Sequence, residues 1–355
     1  METILELIGR FFTALTPFFV GILMAYLLYI PCQKVENVLK KSKVKLISKK
    51  ARSISIFIVY VIVIILITIA INFIVPVLIE SITSFVANIQ GYFENTIVRF
   101  NELPEDSWIK SDTVKDIISN IQGTDLKQYF NLDNIAKYAK NALGFATSLF
   151  NIFVVIIVSI YALAERTQIV NFLKELLSAV FKNNKKRDIQ KYFNNTNIIF
   201  SKFIGAQILD AIIVGILSTI VMSIMHIEYA PLLGFMIGLF NIIPYFGAII
   251  AIAISAIITI MTGGIPQTIW MLIVIIIIQQ IDANIINPKI LGGSLEISPL
   301  LVIFSVTIGG AYFGVVGMFL AVPVAAVAKI WIEDYIKFRK ETNFEDTAGE
   351  KIKKH

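Results

Sequence analysis

The residues best suited to chemistry in this chain are carboxylates and amides set inside apolar segments. Between Phe203 and Pro288 there is no Lys or Arg, and the acidic residues are Asp210, Glu228 and Asp282. A carboxylate at membrane depth is costly unless it is paired, hydrated or protonated, so it marks a candidate ion or solute path. Helix breaks also expose backbone groups that need partners. The candidates are Gln207, Asp210, Asn241, Pro244, Gly247, Gln279, Asp282, Asn284, Asn287, Gly309 and Gly310.

These residues also have structural interpretations. Asp210 suits a hydrogen bond to a neighbouring helix, and Asp282, closer to a helix end, suits solvation at the membrane interface. The amides of Gln207, Gln279 and Asn284 can join helices as well as bind a polar solute. Both interpretations stand at the level of the sequence.

The composition is that of a membrane protein with many membrane segments. Of 355 residues 57% are hydrophobic and 16% are charged, against roughly 25% charged in soluble domains. The net charge of +6 comes from Lys and Arg in loops between apolar runs, where they meet anionic lipid rather than nucleic acid. The sequence has no HExxH, GxSxG or P-loop motif and one cysteine, so we expect no enzyme, no disulfide, no metal and no cofactor.

The charge pattern predicts which loops share a side of the membrane. Residues 31–53 carry eight Lys or Arg against one Glu, and residues 165–202 again carry eight, so both are expected to be cytoplasmic. Residues 77–141 carry nine acids against six bases and are expected outside. The chain then divides into membrane helices with a basic loop (1–76), an extracytoplasmic helical domain (77–141), a membrane helix with a basic loop (142–202), a transport domain (203–332) and a cytoplasmic tail (333–355).

Two apolar segments within residues 203–332 are interrupted in their middle. Residues 231–261 are broken at Asn241, Pro244 and Gly247, and residues 299–330 at Gly309–Gly310, Gly314 and Gly317. Both begin with PLL and carry YFG at the break, which indicates an internal duplication. Their ~47 Å of helix is too long for one crossing of a ~30 Å core and too short for two.

Two half-depth hairpins fit this length, with one spanning helix at about Thr268–Ile286 between them. Such a helix reverses the side from which the second hairpin enters, which makes an inverted repeat with a substrate site where the tips meet. We place the tips at Asn241–Pro244 and at Gly309–Gly310. The predicted fold is an all-α polytopic membrane protein with about 6–8 membrane segments, including two re-entrant helical hairpins.

Several phrases resemble the autoinducer-2 exporter family of bacterial membrane transporters. They are GILMAYLLYIP (21–31), GAQILDAIIVGIL (205–217), GLFNIIPYFGAIIA (238–251) and QIDANIINPKILGGSLEISPLLVIFSVTIGGAYFGVVGMFLAVPVAA (280–326). The resemblance implies a multi-pass protein of the bacterial inner membrane that exports small polar solutes such as autoinducer-2. It also implies homo-oligomers, and some members resemble Na⁺(Li⁺)/H⁺ antiporters. This chain departs from the family at Ser298, where His is common.

The sequence therefore predicts a secondary transporter that exports a small polar solute by alternating access. Asp210 is the candidate for coupling to H⁺ or Na⁺. Two alternatives remain, a Na⁺(Li⁺)/H⁺ antiporter and a non-transporting oligomeric membrane scaffold or channel component. The expected partners are the solute, the coupling ion, membrane lipids and further copies of the chain.

Overall fold

The computed structural model describes residues 2–105, 107, 110–121, 145–180, 186–291 and 297–352. Within these residues every regular element is helical, which confirms the predicted all-α class. Asp106, Trp108 and Lys185, together with residues 122–144 of the proposed extracytoplasmic domain, lie outside the described residues. The elements are α1 (Glu2–Lys40), α2 (Lys45–Lys49), α3 (Ala51–Ile69), a π-helix (Ala70–Ile74), α4 (Val75–Asn101), α5 (Asp112–Ile121), α6 (Phe145–Ala164), α7 (Arg166–Val180), α8 (Lys186–Ile224), α9 (Ala230–Asn241), α10 (Phe246–Ile281), a second π-helix (Asp282–Ile286), α11 (Asn287–Leu291) and α12 (Pro299–Ile352).

Five helical stretches in the described part of the chain are long and apolar enough to cross a membrane. A sixth is obtained when α6 and α7 are counted together, although they meet at a 75° bend. The protein is therefore a polytopic membrane protein. The five stretches are Ala14–Lys40, Ala51–Asn101, Asn194–Ile224, Phe246–Leu291 and Pro299–Lys337.

One end of the helix bundle is held by a charged cluster around Glu36, near the end of α1. The Glu36 carboxylate is buried and lies 2.7 Å from Arg166 Nη2, 2.8 Å from Lys40 Nζ and 3.8 Å from Arg52 Nε. Arg52 also donates to the Ala164 carbonyl oxygen at 3.1 Å. The cluster therefore joins residues of both basic segments, 31–53 and 165–202, at one end of the bundle.

The opposite end is held by α4, which packs on the loop between α8 and α9. The Tyr92 hydroxyl donates to Glu228 Oε2 at 2.9 Å and lies 2.9 Å from the Tyr229 hydroxyl. The Gln267 amide donates to the His226 carbonyl oxygen at 3.1 Å, so the start of the second arm of α10 joins the same assembly. These contacts connect α4 to the segment predicted to form the transport domain.

The short helix α9 lies unusually close to α8, because glycines face each other along the contact. A Cβ on Gly238 would be 2.6 Å from the Ala211 carbonyl oxygen and 2.7 Å from Gly215 Cα. Side chains at these positions would push the helices apart. The close approach is what allows the end of α9 to reach the polar residues of α8.

Two glycines with positive φ reverse the chain within α10 and α12. Gly264 has φ 79° and ψ −178°, and Gly314 has φ 60° and ψ −147°, a backbone region that is essentially restricted to glycine. Residues before and after Gly264 share one core, including Ala251 and Ile258 from the first arm and Met271, Ile275 and Ile278 from the second. Both long elements are therefore antiparallel hairpins.

The predicted break at Asn241–Gly247 is confirmed, since α9 ends at Asn241 and α10 begins at Phe246. The predicted tip at Gly309–Gly310 was wrong. The chain turns at Gly314, and Gly309 instead lies within the first arm, packed against Gly317 of the second. A paired glycine is as useful for close helix packing as for a turn, and the sequence does not distinguish the two uses.

Replacement of Glu36 by Ala is expected to destabilise the protein by about 3 kcal/mol, because it leaves the partly buried Arg166 guanidinium without its carboxylate. Thermal unfolding of the purified protein in detergent measures the effect. Lys40→Ala is the matched control, since the Lys40 side chain is 56% exposed and should matter little. Equal midpoints for the two variants would contradict a supporting role for Glu36.

Gly314→Ala is expected to cost about 1–3 kcal/mol purely through backbone conformation, because an added Cβ meets nothing within 4 Å. Gly91→Ala is the control, since Gly91 lies inside α4 and its Cβ also meets nothing within 4 Å. There the same change should stabilise the helix by about 0.5–1 kcal/mol. Shifts of the same sign in thermal unfolding would show that Gly314 does not need its positive φ.

Candidate functional site

A cavity of about 540 Å³ lies where the break after α9 meets α8 and the second arm of α10. Its polar wall consists of two carboxylates, five amide side chains and one tyrosine, and no Lys, Arg or His is among its lining residues. The base of the α12 hairpin closes one side with Val302 and Val322. The polar lining residues are Gln207, Asp210, Asn241, Tyr245, Gln279, Gln280, Asp282 and Asn287.

The centre of the site is the side-chain amide of Asn241, at the end of α9. Its Nδ2 donates to Asp210 Oδ2 at 3.0 Å and lies 3.5 Å from Asp282 Oδ2. Asp210 is 1% exposed, Asp282 6% and Asn241 7%. One amide group therefore bridges two buried carboxylates that come from different helices.

Gln207, which lies on α8 one turn before Asp210, holds Asn241 in place. Its Nε2 donates to the Asn241 backbone carbonyl oxygen at 2.8 Å, which satisfies one of the carbonyl groups left free at the end of a helix. Gln207 and Asp210 are three residues apart and so share a face of α8. The close contact between α8 and α9 thus fixes both the backbone and the side chain of Asn241.

Both carboxylates keep one oxygen without a hydrogen-bond partner among the described residues. These atoms are Asp210 Oδ1 and Asp282 Oδ1, and Gln279 Nε2 is a donor in the same condition. An unpaired buried carboxylate oxygen is costly, and two of them beside each other repel. A proton, a cation or the hydroxyl groups of a polar solute would each satisfy these atoms.

The turn that carries Asn241 is strained at its tip. Tyr245 has φ 64° and ψ −58°, and the Phe246 N–H donates to the Pro244 carbonyl oxygen at 2.8 Å. This is a γ-turn of the rare, strained kind. Gly247 follows it in the first turn of α10, where a Cβ would overlap the Phe240 carbonyl oxygen. Strain of this kind persists where the surrounding contacts enforce it, and it is concentrated at functional sites.

Asp282 begins the π-helix Asp282–Ile286 that follows α10. A π turn inserts an extra residue per turn and rotates the side chains that follow it, and such turns are frequent at functional sites. Asn287, the first residue after it, lines the cavity as well. Asn284 is different, because it is exposed and donates to the Gln280 carbonyl oxygen of its own helix.

The structure brings together seven of the eleven residues that the sequence proposed, and the four others lie elsewhere. Gly247 supports the turn without lining the cavity, and Asn284 is exposed and is not among the lining residues, although its Nδ2 lies 3.3 Å from Oε1 of Gln280. Gly309 and Gly310 lie inside the α12 hairpin and do not line the cavity. The seven that line it are Gln207, Asp210, Asn241, Pro244, Gln279, Asp282 and Asn287.

Tyr245 and Gln280 line the cavity and were not proposed from the sequence. Tyr245 belongs to the YFG phrase, which was interpreted only as a helix break. Gln280 stands directly after Gln279, and a pair of amides in an otherwise apolar run was a signal that both residues face polar groups.

The family model described as "AI-2E family transporter" matches residues 3–337, which include every residue of this site. The chain belongs to this family. The resemblance found in the sequence phrases is thereby confirmed. As a member of the AI-2E family, the protein is classed with membrane transporters rather than with enzymes.

Relatives of the chain carry names of the same kind. It is 26% identical over 347 residues, 95% of this chain and 90% of the relative, to "Putative transport protein YueF" of Bacillus subtilis (strain 168). It is 34% identical over 139 residues, 39% of each chain, to "Putative transport protein YrrI" of the same organism. To "Putative transport protein YhhT" of Escherichia coli (strain K12) it is 27% identical over 133 residues, 38% of each chain.

Asn241→Ala is expected to lower the unfolding midpoint, because Asp210 and Asp282 then face each other without a donor between them. Adding Asp210→Asn removes one charge, so the double variant should be more stable than the sum of the single effects, by about 1–2 kcal/mol. Thermal unfolding of the four proteins measures this coupling. The control pair is Asn241→Ala with Asn284→Ala, which should be additive, and additivity in both cycles would show that the amide does not couple to Asp210.

Proposed function

We propose that the protein is a secondary transporter that exports a small polar solute, such as autoinducer-2 or a solute like it, by alternating access. In this proposal Asp210 and Asp282 carry the coupling ion, H⁺ or Na⁺. The supporting observation is the pair of buried, amide-bridged carboxylates, each with an unpartnered oxygen, beside a cavity of about 540 Å³. A stable scaffold gains nothing from burying two carboxylates without a cation.

The lining of the cavity favours neutral or cationic solutes rich in hydrogen-bond donors. Its two carboxylates accept hydrogen bonds, its amides donate and accept, and no Lys or Arg among the lining residues compensates an anion. An anionic solute would meet like charge in a desolvated place. A small polar solute without negative charge belongs to the class that this wall accepts.

The position of the site supports access from both sides in turn. Asp210 lies fourteen residues before the end of α8 at Ile224, or about 21 Å along the helix at 1.5 Å per residue. The first hairpin, α9 with the first arm of α10, reaches this depth from the Glu228 end of the bundle. The α12 hairpin closes the cavity through its base rather than through its tip. Movement of the Asn241–Phe246 turn relative to that base would open the cavity on one side.

The proposal includes assignments that come from the family resemblance alone. These are the bacterial inner membrane, assembly into homo-oligomers and the export direction. The cytoplasmic placement of both basic loops and of the C-terminal tail comes instead from the charge pattern and the number of crossings. The transport domain is taken as residues 203–332, and we retain the inverted repeat of two half-depth hairpins, with the second tip moved to Gly314.

A Na⁺(Li⁺)/H⁺ antiporter is the second candidate, and one observation favours it. The two unpartnered carboxylate oxygens and the amide oxygens of the cavity are the ligand types that bind a hard monovalent cation. In that case the cation itself is the transported species and no organic solute is needed.

Asp210→Asn and Asp282→Asn are each expected to reduce the rate of transport at least about tenfold, because each variant loses a carboxylate that binds the coupling ion. A tenfold change corresponds to roughly 1.4 kcal/mol. The assay uses purified protein in liposomes loaded with autoinducer-2, with a pH dye inside. Asn284→Ala is the matched control, since it lies on the same helical stretch but outside the cavity.

The outcomes separate the candidates. Movement of autoinducer-2 that both Asp variants abolish supports the exporter, whereas Na⁺-induced dequenching of the dye without solute movement supports the antiporter. If neither species moves, or if the Asp variants transport like the wild type, the transporter proposal fails and the oligomeric scaffold or channel component stands.

A further inference from the structure

Helix α7 leaves the membrane helix before it at a steep angle. Phe150–Ala164 of α6 is apolar, as a membrane-spanning helix is, and the axis of Arg166–Leu176 is bent from it by 75°. A helix that leaves a span at this angle runs nearly parallel to the membrane surface. Because α7 starts directly after the span, it lies at the depth where the polar and apolar layers of the membrane meet.

One face of α7 is apolar and exposed. Ile169, Phe172, Leu173 and Leu176 follow the three- and four-residue spacing of a single helical face, and they are 42%, 64%, 37% and 51% exposed. Asn171 lies on the opposite face, with Gln168 and Glu175 at its edge, and all three are exposed as well. Four large apolar side chains thus lie side by side without being covered by the described part of this chain.

The start of α7 is fixed to the bundle, so the direction of this face is set. Arg166 donates to Glu36 Oε2 at 2.7 Å, and its guanidinium carbon lies 5.0 Å from the centre of the Tyr29 ring. Arg52 donates to the Thr167 hydroxyl at 3.1 Å. These contacts fix the bend between α6 and α7, and they lie at the end of the bundle that carries the basic loops.

We propose that α7 is an interfacial helix whose Ile169, Phe172, Leu173 and Leu176 face is buried among the lipid acyl chains of the leaflet next to the basic loops. A helix with one strongly apolar face, one polar face and a moderate overall hydrophobicity binds in this plane. The bend after a membrane span brings the helix to the lipid surface. The occupant of the face is therefore the membrane in which α6 is embedded.

The experiment takes advantage of the fact that the chain has a single cysteine, which can be removed. Cys32→Ala gives a background without thiols, into which Phe172→Cys and Asn171→Cys are introduced separately for spin labelling of the whole protein in lipid nanodiscs. Phe153→Cys, from the exposed apolar surface of α6, is the reference for a lipid-facing position. Elution volume and the thermal midpoint check that each variant is folded.

The expected result is a contrast between neighbouring residues. The label of Phe172→Cys should collide several-fold more often with oxygen than with a water-soluble nickel chelate, like that of Phe153→Cys, while the label of Asn171→Cys should show the reverse. Equal access of the chelate to both α7 positions would overturn the proposal, because the face would lie in water. Shielding of the Phe172→Cys label from both reagents would also overturn it, because protein would cover the face.

Discussion

The interaction on which the site depends is the bridge from the Asn241 amide to two buried carboxylates. Asp210 and Asp282 are almost completely buried, so a donor between them offsets the repulsion and the desolvation cost of two close carboxylates. That donor is at the end of a helix, and the end of that helix is held by Gln207. The arrangement gives a partner to one oxygen of each carboxylate and leaves the other without one in the described part of the chain.

The surrounding fold can be understood as the set of conditions that this bridge requires. Glycines on α8 and α9 let the two backbones approach until Asn241 reaches α8. The strained turn at Tyr245 stops α9 at that residue instead of continuing it. The π-helix places Asp282 at the point where the second arm of α10 passes the same cavity. The turn and the π-helix are locally unfavourable backbone conformations, and the glycines have no side chain that could pack. Together these features form one polar centre inside apolar helices.

Much of this could be predicted because membrane physics leaves few choices. A run without Lys or Arg that contains Asp210 and Asp282, and a break at Asn241–Gly247, were sufficient to propose these residues as candidates for an ion or solute path. The turn at Gly314 could not be separated from the Gly309–Gly310 pair, because a glycine sequence does not state which backbone angles it adopts. The π-helix leaves no mark in composition. The cluster at Glu36 was hidden because a single acid among eight bases looked like part of a loop that only sets topology.

The rod formed by α3, the first π-helix and α4 has a mechanical consequence. Residues Ala51–Asn101 are helical throughout, so this element is roughly 76 Å long at 1.5 Å per residue, more than twice the thickness of a membrane core. Tyr92 is twenty residues, or about 30 Å, beyond the centre of the π-helix, and its hydroxyl is hydrogen-bonded to Glu228 and Tyr229. A tilt of about 5° at the π-helix would therefore displace these hydrogen-bonded residues by roughly 2.6 Å. Because of this length, a small rotation of the rod within the membrane would move the loop between α8 and α9, and with it the start of the hairpin that carries Asn241.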